Sequence, residues 1–374
     1  MTTAQFFSRI ALAATLALGV ASAAHAEGTI RIGAAGPRTG PVAQYGDQVF
    51  TGVEAAVADI NKAGGINGSK LELVYYDDAC DPKQAVAVAN KVVNDGIRFV
   101  VGHVCSGATM SAVPIYDDEG IMMITPSATQ PEVASEKRRL VFRTIGLDSM
   151  QGPVAAKYIV SKYKGKKIAV LHDKQQYGEG VATAVRDGAK AGGVDVAMFE
   201  GLNAGDKDFS ALVTKLKRAE VEFVYFGGYH PEMGLLLRQS RQAGLNVQFM
   251  GPEGVGNNDV TAIAGDAVEG MLATLPRAFD TDPRNKELVE RIKAAGKDPS
   301  ATFVMPGYTA MQVMAEGMKQ AGDTKDPAKV AEAIRAGTFD TPIGKVSFDN
   351  KGDLTSFDFA VYAWHKDGSR TAAE

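Results

Sequence analysis

A serine that directly follows a cysteine, at the end of an apolar run, is the first place in this 374-residue sequence where chemistry could occur. The stretch FVVGHVCSGATMSAV, residues 99–113, begins like a buried strand and changes to small residues that can open a helix. A serine at such a strand-to-helix turn can act as a nucleophile, a helix cap or an anion ligand. Ser106 is therefore the first candidate functional residue, and the three roles imply different classes of protein.

The sequence lacks the short motifs that identify common enzyme classes. It contains no G-x-x-x-x-G-K-[ST] loop, no G-x-G-x-x-G after a strand, no H-E-x-x-H and no G-x-S-x-G. The histidines that follow residue 26, at positions 103, 172, 230 and 365, do not have the spacing of metal ligands. We therefore predict neither a metal nor a cofactor, and a nucleophilic Ser106 would need a base that the fold brings to it.

The first 26 residues have the pattern of a secretory signal peptide. Arg9 precedes the apolar run 10–20, and small residues follow as far as Ala24-His25-Ala26. The run is shorter than the roughly 20 residues that a membrane span needs, so we predict cleavage after Ala26 and export. Cleavage removes one basic and no acidic residue and changes the net charge from −4 to −5. A mildly acidic protein is not expected to bind nucleic acid.

Cys80 and Cys105 are the two cysteines of the chain. In an exported protein a pair of cysteines predicts one disulfide, and two free thiols are the alternative. The bond would close a loop of about 25 residues, which the chain-entropy model values at roughly 3 kcal/mol. A disulfide would make Cys105 structural and would argue against a thiol nucleophile.

Apolar segments alternate with helical patterns in two series of similar size, followed by a more helical tail. The predicted strands are 29–36, 71–79, 99–104, 121–129, 167–173, 194–199, 223–229, 248–252, 270–276 and 359–368. The predicted helices are 47–63, 82–95, 107–119, 151–163, 178–192, 209–219, 231–243, 258–266, 284–295, 308–321 and 327–336. Apolar strands with crossover helices favour parallel sheets covered on both faces, so we predict an α/β fold with two doubly wound parallel-sheet lobes.

Ligands of doubly wound sheets lie beyond the carboxyl ends of the strands, where this sequence has a set of polar and aromatic residues. They are Tyr45, in the predicted loop after the first strand, and Ser106, Ser127, Thr129, Tyr229 and Glu253. Ser106 and Thr129 could instead be helix or turn caps, and Glu253 could form a salt bridge in its loop. Together they offer donors for an anion, a carboxylate for a cation and aromatic walls, which predicts a receptor for a small zwitterion.

Longer segments resemble the periplasmic leucine/isoleucine/valine-binding proteins of bacterial branched-chain amino-acid transport. These segments are GPVAQYGDQVFTGVEAAVADIN, YYDDACDPKQAVAVANKVVNDG, HDKQQYGEG, FVYFGGYHPEMG and FMGPEG. The resemblance covers essentially the whole chain after Ala26. It implies two lobes joined by three crossovers, a ligand cleft between them and a disulfide between Cys80 and Cys105. The lobes would comprise 27–147 with 277–356, and 148–276 with 357–374.

The resemblance also implies a role for each site residue. Ser106 and the Thr129 N–H would hold the ligand carboxylate, and the Ser127 carbonyl, the Thr129 hydroxyl and Glu253 would hold the ammonium. The residues expected around the ligand side chain are Tyr45, Val104, Cys105, Tyr229 and Phe303, with Ala128 and Tyr177 also at the site. Val104 stands where leucine is expected, and VMPGY at 304–308 departs from the family pattern, so the order among aliphatic ligands stays open.

The resemblance implies a periplasmic monomer that delivers leucine, isoleucine and valine to the membrane permease subunits of an ABC transporter. A receptor of the same fold for an amide, a urea or an aromatic acid is one alternative, against which the carboxylate of Glu253 argues. An exported α/β hydrolase with Ser106 as its nucleophile is the other.

Overall fold

The computed structural model describes residues 28–373 of the chain. The predicted signal peptide, residues 1–26, lies outside the described residues. Within the described part, every helix is too short or too polar to cross a membrane.

The first part of the chain builds a five-stranded sheet. Its elements are β1 (Thr29–Gly36), α1 (Ala43–Lys62), β2 (Lys70–Asp77), α2 (Pro82–Asn94), β3 (Phe99–Val101), α3 (Ser106–Asp118), β4 (Met122–Thr125) and β5 (Val141–Arg143). The strands lie in the order β2-β1-β3-β4-β5, and every pair is parallel. Apolar side chains from the two faces of this sheet enter two separate clusters of buried residues, because helices cover both faces.

The middle of the chain builds most of a second sheet. Its elements are α4 (Asp148–Tyr163), β6 (Lys167–His172), α5 (Gln176–Ala191), β7 (Asp195–Gly201), α6 (Ser210–Arg218), β8 (Phe223–Gly227), α7 (His230–Gln242), β9 (Gln248–Gly251), α8 (Asn258–Ala264) and β10 (Met271–Pro276). The five strands β6–β10 pair in parallel, so the rhythm of strand and crossover helix repeats in the second sheet.

The last part of the chain contributes to both sheets. Its elements are α9 (Lys286–Ala294), α10 (Val304–Ala321), α11 (Pro327–Ala336), β11 (Phe339–Thr341), β12 (Gly344–Val346), β13 (Phe359–Trp364) and β14 (Arg370–Ala372). Helix α10 packs in the core of the first sheet, whereas β13 joins the second sheet beside β10. The chain therefore passes between the sheets three times, which confirms the predicted fold with two lobes and three crossovers.

The structure differs from the predicted elements mainly at their ends. Helix α1 begins at Ala43 rather than at 47. Tyr45 therefore lies in the first turn of a helix, and the prediction that it lies in a loop is wrong. Helix α10 begins at Val304 rather than at 308, because a proline such as Pro306 is tolerated in the first turn of a helix. Strands β5, β11, β12 and β14 were not predicted, since three residues are too few to show a periodicity. Strands β13 and β14 are antiparallel to their neighbours.

Strand β3 ends at Val101, three residues before its predicted end. Gly102 follows with φ +127, and a Cβ there would lie 2.0 Å from the Ala35 carbonyl oxygen. Only glycine fits this approach, and the chain leaves the sheet at this point. As a result Val104 and Cys105 lie beyond the carboxyl edge of the sheet and outside the strand.

A disulfide joins Cys80 and Cys105, with their Cα atoms 5.5 Å apart, as predicted. It ties the loop that follows β2 to the residue that precedes α3. Cys105 is therefore held at the carboxyl edge of the sheet by a covalent bond, next to Ser106.

Helices α1 and α10 touch through glycine, which yields a test of the fold. A Cβ on Gly52 would lie 2.0 Å from the Val304 carbonyl oxygen and 2.6 Å from the Tyr308 nitrogen. Because alanine must push the helices apart, we expect Gly52→Ala to lower the free energy of unfolding by about 1–3 kcal/mol, measured by urea titration. Gly107→Ala in α3 is the matched control, since its Cβ would meet Pro82 Cγ at 3.5 Å, an ordinary contact. Equal losses in the two variants would contradict this view of the α1–α10 contact.

Candidate functional site

A closed cavity of about 260 Å³ lies where residues that follow strands of the two sheets meet. The side chains around it are at most 9% exposed, so the cavity is largely shielded from solvent. The residues that line it are Tyr45, Val104, Cys105, Ser106, Ser127, Tyr177, Tyr229, Glu253, Gly254 and Phe303. Nine of the eleven predicted site residues are in this set. Of the other two, Thr129 reaches the cavity wall through its hydroxyl, which donates to Glu253 Oε1 over 3.3 Å.

A larger cleft of about 1,140 Å³ lies nearby and contains none of the predicted residues. It is more open than the small cavity, and its walls carry exposed acidic side chains such as Asp47 and Asp259. A solvated cleft of this kind gives a small molecule little burial. The enclosed cavity, with its aromatic walls and buried carboxyl group, is the better candidate for a binding site.

Ser106 is the first residue of α3 and lies at one end of the cavity. Its hydroxyl accepts a hydrogen bond of 3.4 Å from the Gln130 N–H. The N–H groups in the first turn of a helix have no partners within the helix and attract an anion together with the helix dipole. The Ser127 hydroxyl, by contrast, donates to the Val104 carbonyl oxygen over 3.0 Å and serves to hold the two loops together.

Glu253 lies in a short 3-10 turn after β9 and is 2 % exposed. Its Oε1 accepts the Thr129 hydroxyl, while Oε2 is buried without a hydrogen-bond partner among the described residues. Burial, and then the carboxyl group of Asp148, raise the pKa of Glu253 to about 8. Such a group is stable either as a neutral acid or with a cation beside it. The cavity therefore has a site for a positive charge at Glu253.

Aromatic rings form the remaining walls. The Tyr45 ring centroid lies 6.0 Å from that of Tyr229 and 5.6 Å from that of Phe303, and Tyr177 lies 5.2 Å from Tyr229. Burial is the largest cause that raises the pKa of Tyr45, Tyr177 and Tyr229 well above the usual value, so all three are neutral at physiological pH. These walls can surround an apolar group and offer it no charge.

The Tyr45 hydroxyl connects the two halves of the site. It donates to the Gly254 carbonyl oxygen over 2.6 Å and accepts from Asn257 Nδ2 over 2.5 Å. Tyr45 belongs to α1, whereas Gly254 and Asn257 follow β9 of the second sheet. The side chain that forms a wall of the cavity therefore also bonds across it.

The histidines do not supply a base to Ser106. His103 bonds to Asp78 Oδ2 over 2.6 Å and to the Tyr116 hydroxyl over 2.9 Å. His230 faces Gln44, and burial lowers its pKa to about 3. Within residues 28–373, Ser106 and a histidine form no hydrogen bond.

The whole chain is similar to known proteins. A family model described as "Periplasmic binding protein" matches residues 29–369. The chain belongs to this family. It is 65% identical to the leucine-, isoleucine-, valine-, threonine-, and alanine-binding protein of Pseudomonas aeruginosa, over 98% of each chain. It is 55% identical to the Leu/Ile/Val-binding protein of Escherichia coli K12, over 97% of this chain and 98% of that one.

A solved relative has the same fold. The branched-chain amino acid transporter substrate binding protein LivJ from Streptococcus pneumoniae, in complex with isoleucine, superposes with a TM-score of 0.82. It is 27% identical, and the match covers 92% of this chain and 99% of that one.

The loop that carries Thr129 in this periplasmic binding protein is held by a buried arginine. Arg143, the last residue of β5, donates from Nη1 to the carbonyl oxygens of Ala128 and Gln130 over 2.9 and 3.0 Å. Its Nη2 donates to the Pro131 carbonyl oxygen, and its Nε pairs with Asp353 at 2.5 Å. This is how Ala128, which does not line the cavity, contributes to the site: its carbonyl fixes the loop.

Sequence reasoning missed several residues of the site, namely Gln130, Arg143, Asp148, Gln151, Gly254 and Asn257. Gly254 directly follows Glu253, so the prediction of Glu253 could have identified it. The others carry no motif, because their partners lie far away in sequence.

The frame around Thr129 leads to a prediction about stability. Arg143→Met would leave the carboxylate of Asp353 unpaired, and this side chain is only 5% exposed. Three loop carbonyls would also lose their hydrogen-bond donor. We expect the free energy of unfolding to fall by about 3–5 kcal/mol in a urea titration. Arg277→Met is the control, since its partner Asp358 is exposed, and a change within about 0.5 kcal/mol is expected. If the two variants were equally stable, the loop would not depend on Arg143.

Proposed function

We propose that this periplasmic binding protein captures leucine, isoleucine and valine and delivers them to the membrane permease subunits of an ABC transporter. The observation that carries the proposal is the closed cavity with a buried carboxyl group, a helix N-terminus and neutral aromatic walls. These three features match the ammonium, the carboxylate and the aliphatic side chain of such an amino acid. The names of the relatives at 65% and 55% identity support the same ligands.

The ligand carboxylate is assigned to Ser106 and the Thr129 N–H. The N-terminus of α3 supports this assignment, because its N–H groups favour a negative charge. The ammonium is assigned to Glu253, the Thr129 hydroxyl and the Ser127 carbonyl. Support comes from the unpaired oxygen of Glu253 and from the Thr129 hydroxyl, which donates to the other oxygen of the same carboxyl group.

The ligand side chain is assigned to the apolar part of the cavity. The residues assigned to it are Tyr45, Val104, Cys105, Tyr177, Tyr229 and Phe303. Valine at position 104 leaves more room than the leucine expected there, and Phe303 closes the cavity at the start of α10. A wall of this kind selects by size and by the absence of charge, which suits several aliphatic side chains rather than one.

The two lobes are assigned to residues 27–147 with 277–356, and to 148–276 with 357–374. These boundaries lie between β5 and α4, after β10 and before β13, where successive elements belong to different sheets. The cavity walls come from both lobes, so opening of the cleft admits a ligand and closure encloses it.

Binding without catalysis is part of the proposal. The Ser106 hydroxyl accepts from Gln130, and His103 is committed to Asp78 and Tyr116, so neither supports a hydrolase. The predicted signal peptide and the family to which the chain belongs support its location in the periplasm.

Glu253 provides the most direct test of the ammonium site. Glu253→Ala should weaken leucine binding by about 2 kcal/mol or more, because it leaves a buried ammonium partly unpaired. That loss is roughly 30-fold in the dissociation constant, measured by calorimetric titration. Glu253→Gln keeps the size of the side chain and should lose nearly as much if charge is what matters. Affinity within a factor of two of the parent in both variants would remove Glu253 from the site.

A ligand series tests the aliphatic pocket. One methylene in an apolar pocket changes binding by about 1–3 kcal/mol, so leucine, isoleucine and valine should all bind, with affinities within roughly two decades. Glutamate and lysine should bind far more weakly, since the walls offer no partner for their charges. The same should hold for 4-methylpentanoate, which lacks the ammonium. If glutamate or 4-methylpentanoate bound as tightly as leucine, this model of the pocket would be wrong.

A further inference from the structure

Asp148 is a second buried carboxyl group beside Glu253, and the ligand contacts assigned above do not include it. It is the first residue of α4 and is 2% exposed. Its backbone N–H donates to the Thr129 carbonyl oxygen over 3.0 Å, and the Thr129 hydroxyl donates to Glu253. One residue, Thr129, therefore connects the two acids, one of which comes from α4 and the other from the turn after β9.

One hydrogen bond orients the carboxyl group of Asp148, and the other carboxyl oxygen has no partner among the described residues. Gln151 Nε2 donates to Asp148 Oδ1 over 2.9 Å, and Gln151 Oε1 accepts from the Thr274 hydroxyl over 2.9 Å. The Thr274 contact sets the orientation of the Gln151 amide. Asp148 Oδ2 and Glu253 Oε2 are both buried without a hydrogen-bond partner in the described part of the chain. Two unpaired carboxylate oxygens in a dry site are costly unless a proton or a cation is shared between them.

The other titratable groups around the two acids do not provide a free cation. Arg143 and Glu132 act on the carboxyl group of Asp148. The tyrosines on which the charge of Glu253 acts are Tyr45, Tyr177, Tyr225 and Tyr229. The tyrosines are neutral, because burial raises the pKa of each one well above its usual value. Arg143 is paired with Asp353 and holds three loop carbonyls. Within residues 28–373 these groups supply no positive partner, so we look for it in the ligand.

We propose that Asp148 and Glu253 form one carboxyl pair, which holds a proton in the free protein and releases it to solvent when the ammonium of the ligand binds. The proposal rests on the proposed function, since it needs a ligand that carries an ammonium group. It makes Asp148 a positioning residue: it acts on the ligand through Glu253 and Thr129. In an ordinary ammonium site a single carboxylate is already ionised before the ligand binds. The proposed pair instead loses its proton when the ligand binds.

The direction of the pH dependence follows from the same geometry. In the closed cleft, burial raises the pKa of Asp148 to about 7 and of Glu253 to about 8, the second also through the charge of Asp148, which belongs to the same lobe and stays near Glu253 when the cleft opens. An ammonium beside them favours the ionised forms, so the complex binds fewer protons than the free protein. Affinity must then increase as the pH rises through this range, by up to roughly tenfold per pH unit for each proton released.

The test is a calorimetric titration with leucine at pH 6, 7 and 8 in buffers of different ionisation enthalpy. The parent protein should release about one proton at pH 7, and its affinity should rise by roughly three- to tenfold from pH 6 to pH 7. Asp148→Asn keeps the acceptor for Gln151 and removes the charge, so it should release less than half as many protons and show a flatter pH profile. A merely structural role would weaken binding and leave the pH profile unchanged.

Asp173→Asn is the matched control. Asp173 is also buried, one of its oxygens has no partner in the described part of the chain, and burial raises its pKa to about 7, but its bonded oxygen accepts from Gln175 in the turn before α5 and not from Gln151 or Thr129. Its loss should leave proton release as in the parent. Release by Asp148→Asn equal to that of the parent would overturn the proposal, as would a parent protein that releases no proton between pH 6 and 8.

A second measurement detects the proton itself. The free parent protein should show an infrared band of a buried protonated carboxyl group at pH 7 that leucine abolishes and that the Asp173→Asn variant retains. Absence of that band in the free parent would overturn the carboxyl pair. If the band is present but the parent binds no leucine, isoleucine or valine, the proposed function fails and the carboxyl pair stands.

Discussion

A buried carboxyl group that has no cation of its own is the constraint on which the rest of this binding site depends. Glu253 is 2% exposed, and one of its oxygens has no hydrogen-bond partner within residues 28–373. Arg143 is close enough to act on Asp148, yet it is committed to Asp353 and to the loop of Thr129. If the cleft closes around a molecule without a positive charge, the penalty for an unpaired carboxylate persists. For the ligands proposed above, recognition of the ammonium and closure of the lobes are therefore parts of the same event.

The contacts across the cleft are consistent with this coupling. Tyr45 bonds to Gly254 and Asn257, and Gln44 faces His230. A small number of neutral hydrogen bonds contributes only about 1 kcal/mol each, so they favour closure without making it independent of the ligand. A ligand shifts such an equilibrium only by its difference in affinity for the two states, and contacts made to both lobes at once provide that difference. Tyr45 forms part of the cavity wall and also hydrogen-bonds to residues on the other side of the cleft. The same side chain therefore affects which ligands fit and whether the cleft stays closed.

The sequence predicts much of this arrangement, and what it misses has a physical reason. The alternation of apolar strands with helices depends on local periodicity, so two α/β lobes were predictable, whereas the three residues of β5 were not. Ser106 and Glu253 were found because the ends of parallel strands meet at one edge of a sheet. Phe303 and Tyr177 came from the resemblance to a known family. Asp148 has no local signal, because its role depends on a carboxyl group more than one hundred residues away that only the tertiary fold brings near.

The choice of two acids with no internal cation also has a physical rationale. An arginine or lysine inside the cavity would neutralise Glu253 permanently and would have to be displaced by every ligand, at the cost of breaking a buried ion pair. A proton neutralises the same group without occupying volume, and it exchanges freely with water whenever the cleft opens. Burial, and then the charge of Asp148, raise the pKa of Glu253 to about 8, so that a proton can remain at neutral pH, while Thr129 and Gln151 hydrogen-bond to the two acids. The site can thus be neutral when empty and still present a full negative charge to the ligand it binds.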